Sequence, residues 1–226
     1  SVVNANQSYW GFSNADYLAS VTVSAGDTVV INSQWGVDSF NNAGTIRGGG
    51  LPRFLLQNSA GPFTNSGIIE ANGSVLQLPY YGASSLQTIT NTGGTIQAIS
   101  GGTLVPYNND LKFTGGSFTV DGDSAVSISQ GGGWLVGYEL ENMTTSNAGS
   151  WSISNSSNST NNSAYTNVTG STSFANSGTL AILNQSTSTG TNDAFLTTGS
   201  SASLANTGTI TINNTATGDG GHDPYL

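Results

Sequence analysis

Along most of this chain, apolar and polar residues alternate with a period of two in short runs, and each run closes on Gly, Asn or Ser. The stretch TNSGIIEANGSVLQL from Thr64 to Leu78 is the clearest case. A corner at Asn65 and Gly67 leads into a strand containing Ile69. A second corner at Asn72 and Gly73 leads into a strand where Val75 is opposite in phase to Leu76 and Leu78. Alternation of this kind predicts short strands with one face buried, and Gly and Asn at the corners accept positive φ cheaply. No run carries a helical period.

The unit recurs. Corners of the form Asn-x-Gly start at Asn42, Asn65, Asn91, Asn147, Asn176 and Asn206, and a degenerate copy without the Asn starts at Thr114. The spacings between these starts are 23, 26, 23, 33, 29 and 30 residues. Self-similarity at that period, with strands and turns alone, predicts a solenoid. The expected fold is all-β: a single-domain parallel β-helix of about seven to eight coils over residues 17–216. Residues 1–16 are expected to form an N-terminal cap or assembly arm, and residues 217–226 a tail. In such a fold the six corner asparagines stack in register, and their amides form a hydrogen-bonded ladder along the axis. Replacing Asn91 is then expected to cost stability, not binding.

The NSGTI and NTGGTIQA…GGTL phrases resemble the repeat units of autotransporter passenger domains and other large secreted bacterial adhesins, over roughly Asn42 to Asn214. The resemblance implies a parallel β-solenoid that is exported and placed at a cell surface, and it carries no catalytic residue with it. The chain departs from that plan in lacking an outer-membrane barrel and in being short for a passenger, which suggests one piece of a larger protein or a small secreted subunit.

Composition narrows the function. Charged residues make up 7% of the 226 residues, the formal net charge is −9, and only Arg47, Arg53 and Lys112 are basic. A phosphate backbone or an anionic membrane would be repelled, so nucleic acid is excluded as a partner and no membrane insertion is expected. There is no cysteine, hence no disulfide, thiol catalysis or thiolate metal site. No cofactor motif is present, and no metal is expected. The glycine runs at Gly48 and Gly131 lack the lysine of a phosphate loop and read as turns.

Four features remain as candidate chemistry. Tyr9, Trp10 and Phe12 place aromatics in a polar N-terminal segment, read either as a cap or as an arm that adds to a neighbouring subunit. Tyr80, Tyr81 and Tyr107 follow the prolines of LQLPYY and GGTLVPY and form a candidate glycan platform, since aromatic faces cover apolar sugar faces. The paired acids Asp121 with Asp123 and Glu139 with Glu141 are the raw material of a glycosidase, although Asp-Gly-Asp is ordinarily a turn. His222, with Asp219 and Asp223, lies in a Gly-rich tail that is a poor platform for a triad. The nine Asn-x-Ser/Thr sequons are near chance in so Asn-, Ser- and Thr-rich a chain. The polar stretch from Asn155 to Ser173 nevertheless reads as a surface excursion or a flexible loop, which makes Asn155, Asn158, Asn161 and Asn167 the candidate glycosylation patch. The segment Gly131–Met143 reads as an extended strand and loop between two halves of the solenoid, and Gly48–Pro62 as a segment that folds over an open face or lengthens a coil. The functional expectation is a non-enzymatic extracellular structural or adhesive protein that self-associates end to end into a fibre. A glycan-binding adhesin module or a polysaccharide-degrading β-helix enzyme is the alternative.

Overall fold

The structure is a computed structural model, and it describes residues 2–5, 21–32, 35–37, 39–49, 53–56, 62–80, 86–106, 110–131, 135–187, 190, 192–217 and 226. The chain forms 25 β-strands among the described residues, and every strand pairing is parallel. Three ladders run along one axis and contain nine, eight and eight strands. Sheet C takes β2 (Val21–Val23), β5 (Phe40–Asn42), β8 (Phe63–Asn65), β11 (Gln87–Thr90), β14 (Asp110–Thr114), β17 (Val136–Glu141), β20 (Ala164–Thr169) and β23 (Ala194–Thr198). Each is followed by a strand of sheet A and then one of sheet B. For the last two turns these are β21 (Ser173–Asn176) with β22 (Thr179–Asn184), and β24 (Ser203–Asn206) with β25 (Thr209–Asn214). The expected parallel β-solenoid is the fold. Five complete turns, from β11 to β25, are described with every strand side chain, somewhat fewer than the seven to eight expected, and the ladders continue N-terminally from β10 to β2. Sheet A begins with one additional strand, β1 (Val2–Ala5), on the edge of β3 (Thr28–Ile31), so residues 2–5 already belong to the first rung.

The period of two accounts for the core. On sheet B, Leu104, Val126, Trp151 and Leu180 stack in register and are fully buried, and Ile128, Ile153 and Ile182 form a second inward row. In the middle of the solenoid the fill is aromatic: Phe113, Phe118, Tyr138, Trp151 and Phe174 form a chain of rings with centroids 5.0 to 6.3 Å apart. Trp151 Nε1–H donates to Thr166 Oγ1 at 3.1 Å, which satisfies its one polar atom. The Tyr138 hydroxyl is fully buried and has no hydrogen-bond partner.

Several local expectations are corrected by the register. The strand expected within Gly131–Met143 is β17, but it does not divide the solenoid: it is an ordinary strand of sheet C, and its apolar density arises because Val136, Tyr138 and Leu140 all face the core. About a third of the polar stretch Asn155–Ser173 is likewise a core strand, β20, with Ala164, Tyr165, Thr166 and Val168 buried. Gly48–Pro62 contains β7 (Arg53–Leu56), a rung of sheet B that pairs in register with β4 (Trp35–Val37) and with a register shift against β10 (Val75–Tyr80). Pro106 pairs with Leu78, so Pro79 and Pro106 stand one residue out of register and do not occupy matching places on the ladder.

Candidate functional site

The corner asparagines do ladder, but they form two ladders on different corners. Asn42 and Asn65 end strands of sheet C, Asn91 directly follows one, and all three turn the chain into sheet A. Asn42 Nδ2–H donates to Asn65 Oδ1 at 2.6 Å, and Asn65 Nδ2–H donates to Asn91 Oδ1 at 2.6 Å. Asn147, Asn176 and Asn206 close strands of sheet A and turn it into sheet B. Here the amide bonds run from Asn147 to Asn176 at 2.7 Å and from Asn176 to Asn206 at 2.6 Å. The single ladder expected from sequence is therefore split. Of the 33 residues between Thr114 and Asn147, 27 complete the turn to Glu141, which pairs with Thr114, and the other six carry the chain along one more side. Each ladder starts on an apolar residue, Val23 below Asn42 and Val120 below Asn147. The Asn42 and Asn147 Oδ1 atoms accordingly have no donor.

The glycines of these corners are required by close approach. A Cβ on Gly67 would lie 2.1 Å from the Gly44 carbonyl oxygen, and one on Gly178 2.1 Å from that of Gly149. Rung stacks directly on rung at both corners.

The sequons do not behave as a patch. Asn155 is fully buried; its Nδ2–H donates to the Asn162 carbonyl at 2.7 Å and its Oδ1 accepts from Ser157 N–H, so its amide is committed to the corner between sheets B and C. Asn184 repeats that arrangement one turn later. Asn167 is half-buried on β20, with its Oδ1 accepting from Thr197 Oγ1 at 2.6 Å. Asn158 and Asn161 are exposed. Tyr9, Trp10 and Phe12 of the arm, Tyr81 and Tyr107 of the platform, and His222 lie outside the described residues, and for Tyr80 the backbone position in β10 (Val75–Tyr80) is all that is described.

Most ionic chemistry of the described strands gathers on the outer face of sheet C. Glu139 and Glu141, two apart on β17, both reach Lys112 of β14, at 2.7 and 3.2 Å. The Glu139 bond holds the ammonium pKa above its ordinary value. One position away, Asp110, Gly137, Tyr165 and Phe195 occupy one row of the ladder. The Tyr165 ring leans over Gly137, where a Cβ would lie 2.7 Å from its Cγ, and stacks on Phe195 with centroids 5.5 Å apart. Burial raises the Asp110 carboxyl pKa, its hydrogen bond with Tyr165 opposes this, and the nearby Glu139 charge adds to it. Burial also raises the Tyr165 phenol pKa, with the Asp110 charge next in effect. Both faces of the tyrosine are covered by the protein, so the cluster fastens rungs together and offers no bare ring. Asp121 is a turn residue: its Oδ2 accepts from Ser100 N–H of the preceding rung at 2.8 Å, and hydrogen bonding, first from Ser124, lowers its pKa. Among the described residues no group of three or more His, Cys, Asp or Glu side chains is gathered as a metal ion would require.

The surface that sequence reasoning missed is the C-terminal end of the solenoid. Among the described residues β23, β24 and β25 are the last strands of their ladders, and each has one edge with no further described strand. Ile212 stands in register above Ile182 and Ile153. Those two are fully buried, whereas Ile212 is 46% exposed. Leu204 and Ile210 stand above the buried Phe174 and Leu180 and are half-exposed. A hint was present in the sequence, since NTGTITIN repeats NSGTLAIL and nothing in it marks a closing turn.

No family model matches this chain, and comparison with curated proteins and with solved structures found no match.

Proposed function

We propose that this chain is a non-enzymatic extracellular structural or adhesive protein of a microbial surface, a rigid solenoid segment that works by joining end to end into a larger assembly, such as a fibre. The observation that carries this reading is the last described turn, where side chains whose counterparts in the turns just beneath are buried stand open, and three strand edges have no partner among the described residues. Unpaired edges are templates for another strand, and proteins that work alone blunt them with charge, proline or a covering element. Here residues 194–217 carry no charge and no proline.

Two further features support it. Uncharged amides and hydroxyls on the outer rows give a surface suited to solubility outside the cell, and the absence of cysteine fits an oxidising compartment. The resemblance of the repeat to secreted bacterial adhesins agrees with a surface location. Electron microscopy of the purified protein across a range of concentrations tests the reading: end-joined particles are expected, and monodisperse single rods at every concentration would refute it.

A further inference from the structure

We infer that the outer face of sheet B binds ice, as a rigid net of unshared hydroxyls fitted to a lattice of water molecules. The inference goes beyond the end-joining reading and does not depend on it, because it concerns the side of the solenoid and holds for a single copy. It starts from register. β13 (Thr103–Pro106), β16 (Ala125–Gln130), β19 (Ser150–Asn155), β22 and β25 follow one another in sheet B, and their pairings keep each outward residue over its counterpart in the rung beneath. Thr103, Ala125, Ser150, Thr179 and Thr209 form one outward row. Ser127, Ser152, Ala181 and Thr211 form the next, and a mixed third row runs from Ser129 to Asn213.

The hydroxyls of these rows are half-exposed or exposed, and none of them hydrogen-bonds to another group among the described residues. The other two sheets differ. On sheet A the Thr95 and Ser117 hydroxyls bond each other at 3.0 Å, and on sheet C Thr197 Oγ1 donates to Asn167 Oδ1 at 2.6 Å. Those sheets also carry the ion pairs, Arg47 with Glu70 on sheet A and Lys112 with Glu139 and Glu141 on sheet C. The five strands of this part of sheet B contain no charged residue, and their one aromatic, Trp151, points inward and is fully buried. An ionic partner finds no counter-charge here, and a sugar ring finds no aromatic face to stack on.

What the face does offer is a repeat in two directions. Rungs stand about 4.8 Å apart and outward residues along a strand about 6.6 Å apart, so the five rungs and three rows cover roughly 19 by 13 Å. Both repeats fall within about a tenth of an oxygen repeat on the prism face of hexagonal ice. A serine or threonine hydroxyl donates one hydrogen bond and accepts two, as a water at a lattice surface can, so it can take the place of one. Ala125 and Ala181 leave shallow gaps in the rows where a lattice water can sit. The ladder holds all the rows in place before contact, so little conformational freedom is lost on binding. A rigid, repeating partner engages every row at once, which a small soluble ligand cannot do.

Thermal hysteresis and inhibition of ice recrystallisation, measured on the full chain at micromolar concentration, test the inference. The parent is expected to hold a growing crystal at a fixed size below the melting point and to shape it into facets. Ser152→Tyr puts a bulky ring at the centre of the face and should reduce hysteresis at least tenfold, with circular dichroism and urea midpoint close to those of the parent. Ala175→Tyr, at an exposed outward position on sheet A, is the control and should leave hysteresis unchanged. A parent without hysteresis or crystal shaping would overturn the inference, and retention on crystalline cellulose or chitin in that case would assign the face to a polysaccharide lattice instead. Equal losses in the two variants would also overturn it. End joining is read separately by electron microscopy, so either reading can fail without the other.

Discussion

Removing the middle amide of the second ladder tests whether these asparagines hold the turns together. Asn176 is almost fully buried; its Oδ1 accepts from Asn147 and its Nδ2 donates to Asn206. Asn176→Ala deletes both bonds, each worth about 1 kcal/mol net. It also strips Asn147 Nδ2 of one of its two acceptors, leaving the Thr179 carbonyl at 3.0 Å, at a site where Asn147 Oδ1 already has no donor. With part of the desolvation cost of a buried polar group added, about 1 to 3 kcal/mol when the group is wholly unpaired, the expected loss is roughly 2 to 4 kcal/mol. Asn206→Ala is the internal control. Asn206 is exposed, accepts one ladder bond and otherwise donates only to Gly208, so its loss should cost about 1 kcal/mol. Urea denaturation followed by the combined fluorescence of the four tryptophans reads the whole fold, and hydrogen exchange resolved along the chain separates fraying of the last turn from global opening. Equal, small losses in the two variants would refute the view that the buried amide ladder is a principal fastening of the C-terminal turns.

Tyr138→Phe should hold or raise stability by up to about 1 kcal/mol, because it removes a buried hydroxyl that has no partner and keeps the ring contacts with Phe113, Phe118 and Trp151; a clear loss in urea midpoint would mean that the hydroxyl is satisfied in solution. Gly178→Ala should destabilise by about 3 kcal/mol or prevent folding, since its Cβ would meet the Gly149 carbonyl oxygen at 2.1 Å, as soluble yield and urea midpoint will report. The Asp110 carboxyl is raised by burial and by Glu139, with Tyr165 opposing and Lys112 engaged with Glu139 alongside. A group with a raised folded pKa contributes stability below its unfolded value near 3.8 and loses it as pH rises through the folded value. Asp110→Asn should therefore flatten the fall in melting temperature as pH rises from about 4, and an unchanged profile would remove Asp110 as its source.

The fold was legible because β-solenoid sequence is locally redundant: alternation gives the strand, Asn and Gly give the corner, and repetition gives the stack. What could not be read was which side of the prism each corner serves. NSGIIEA at Asn65 and NSGTLAI at Asn176 are nearly the same phrase, and the chemistry of the turn is the same, yet the first leads from sheet C to sheet A and the second from sheet A to sheet B. The distance between copies was the sole signal, and a turn of 27 residues plus one side of six is hard to tell from one long turn when ordinary turns here range up to 30. The same ambiguity misplaced the segments judged by composition. Val136, Tyr138 and Leu140 looked like an interruption because they were dense, and AYTNVT looked like a loop because Asn and Thr surrounded it. Pairing partners decide such cases, since a strand in a parallel ladder takes its inward and outward faces from its neighbours.

The same dependence on neighbours explains why the exposed end could not be seen in the sequence. Ile212 is chemically identical to Ile182 and sits in an equivalent phrase. Its exposure arises because no further rung is described above it in the ladder. A solenoid strand takes its burial from the rungs on either side, so the same phrase is core in one turn and surface in another.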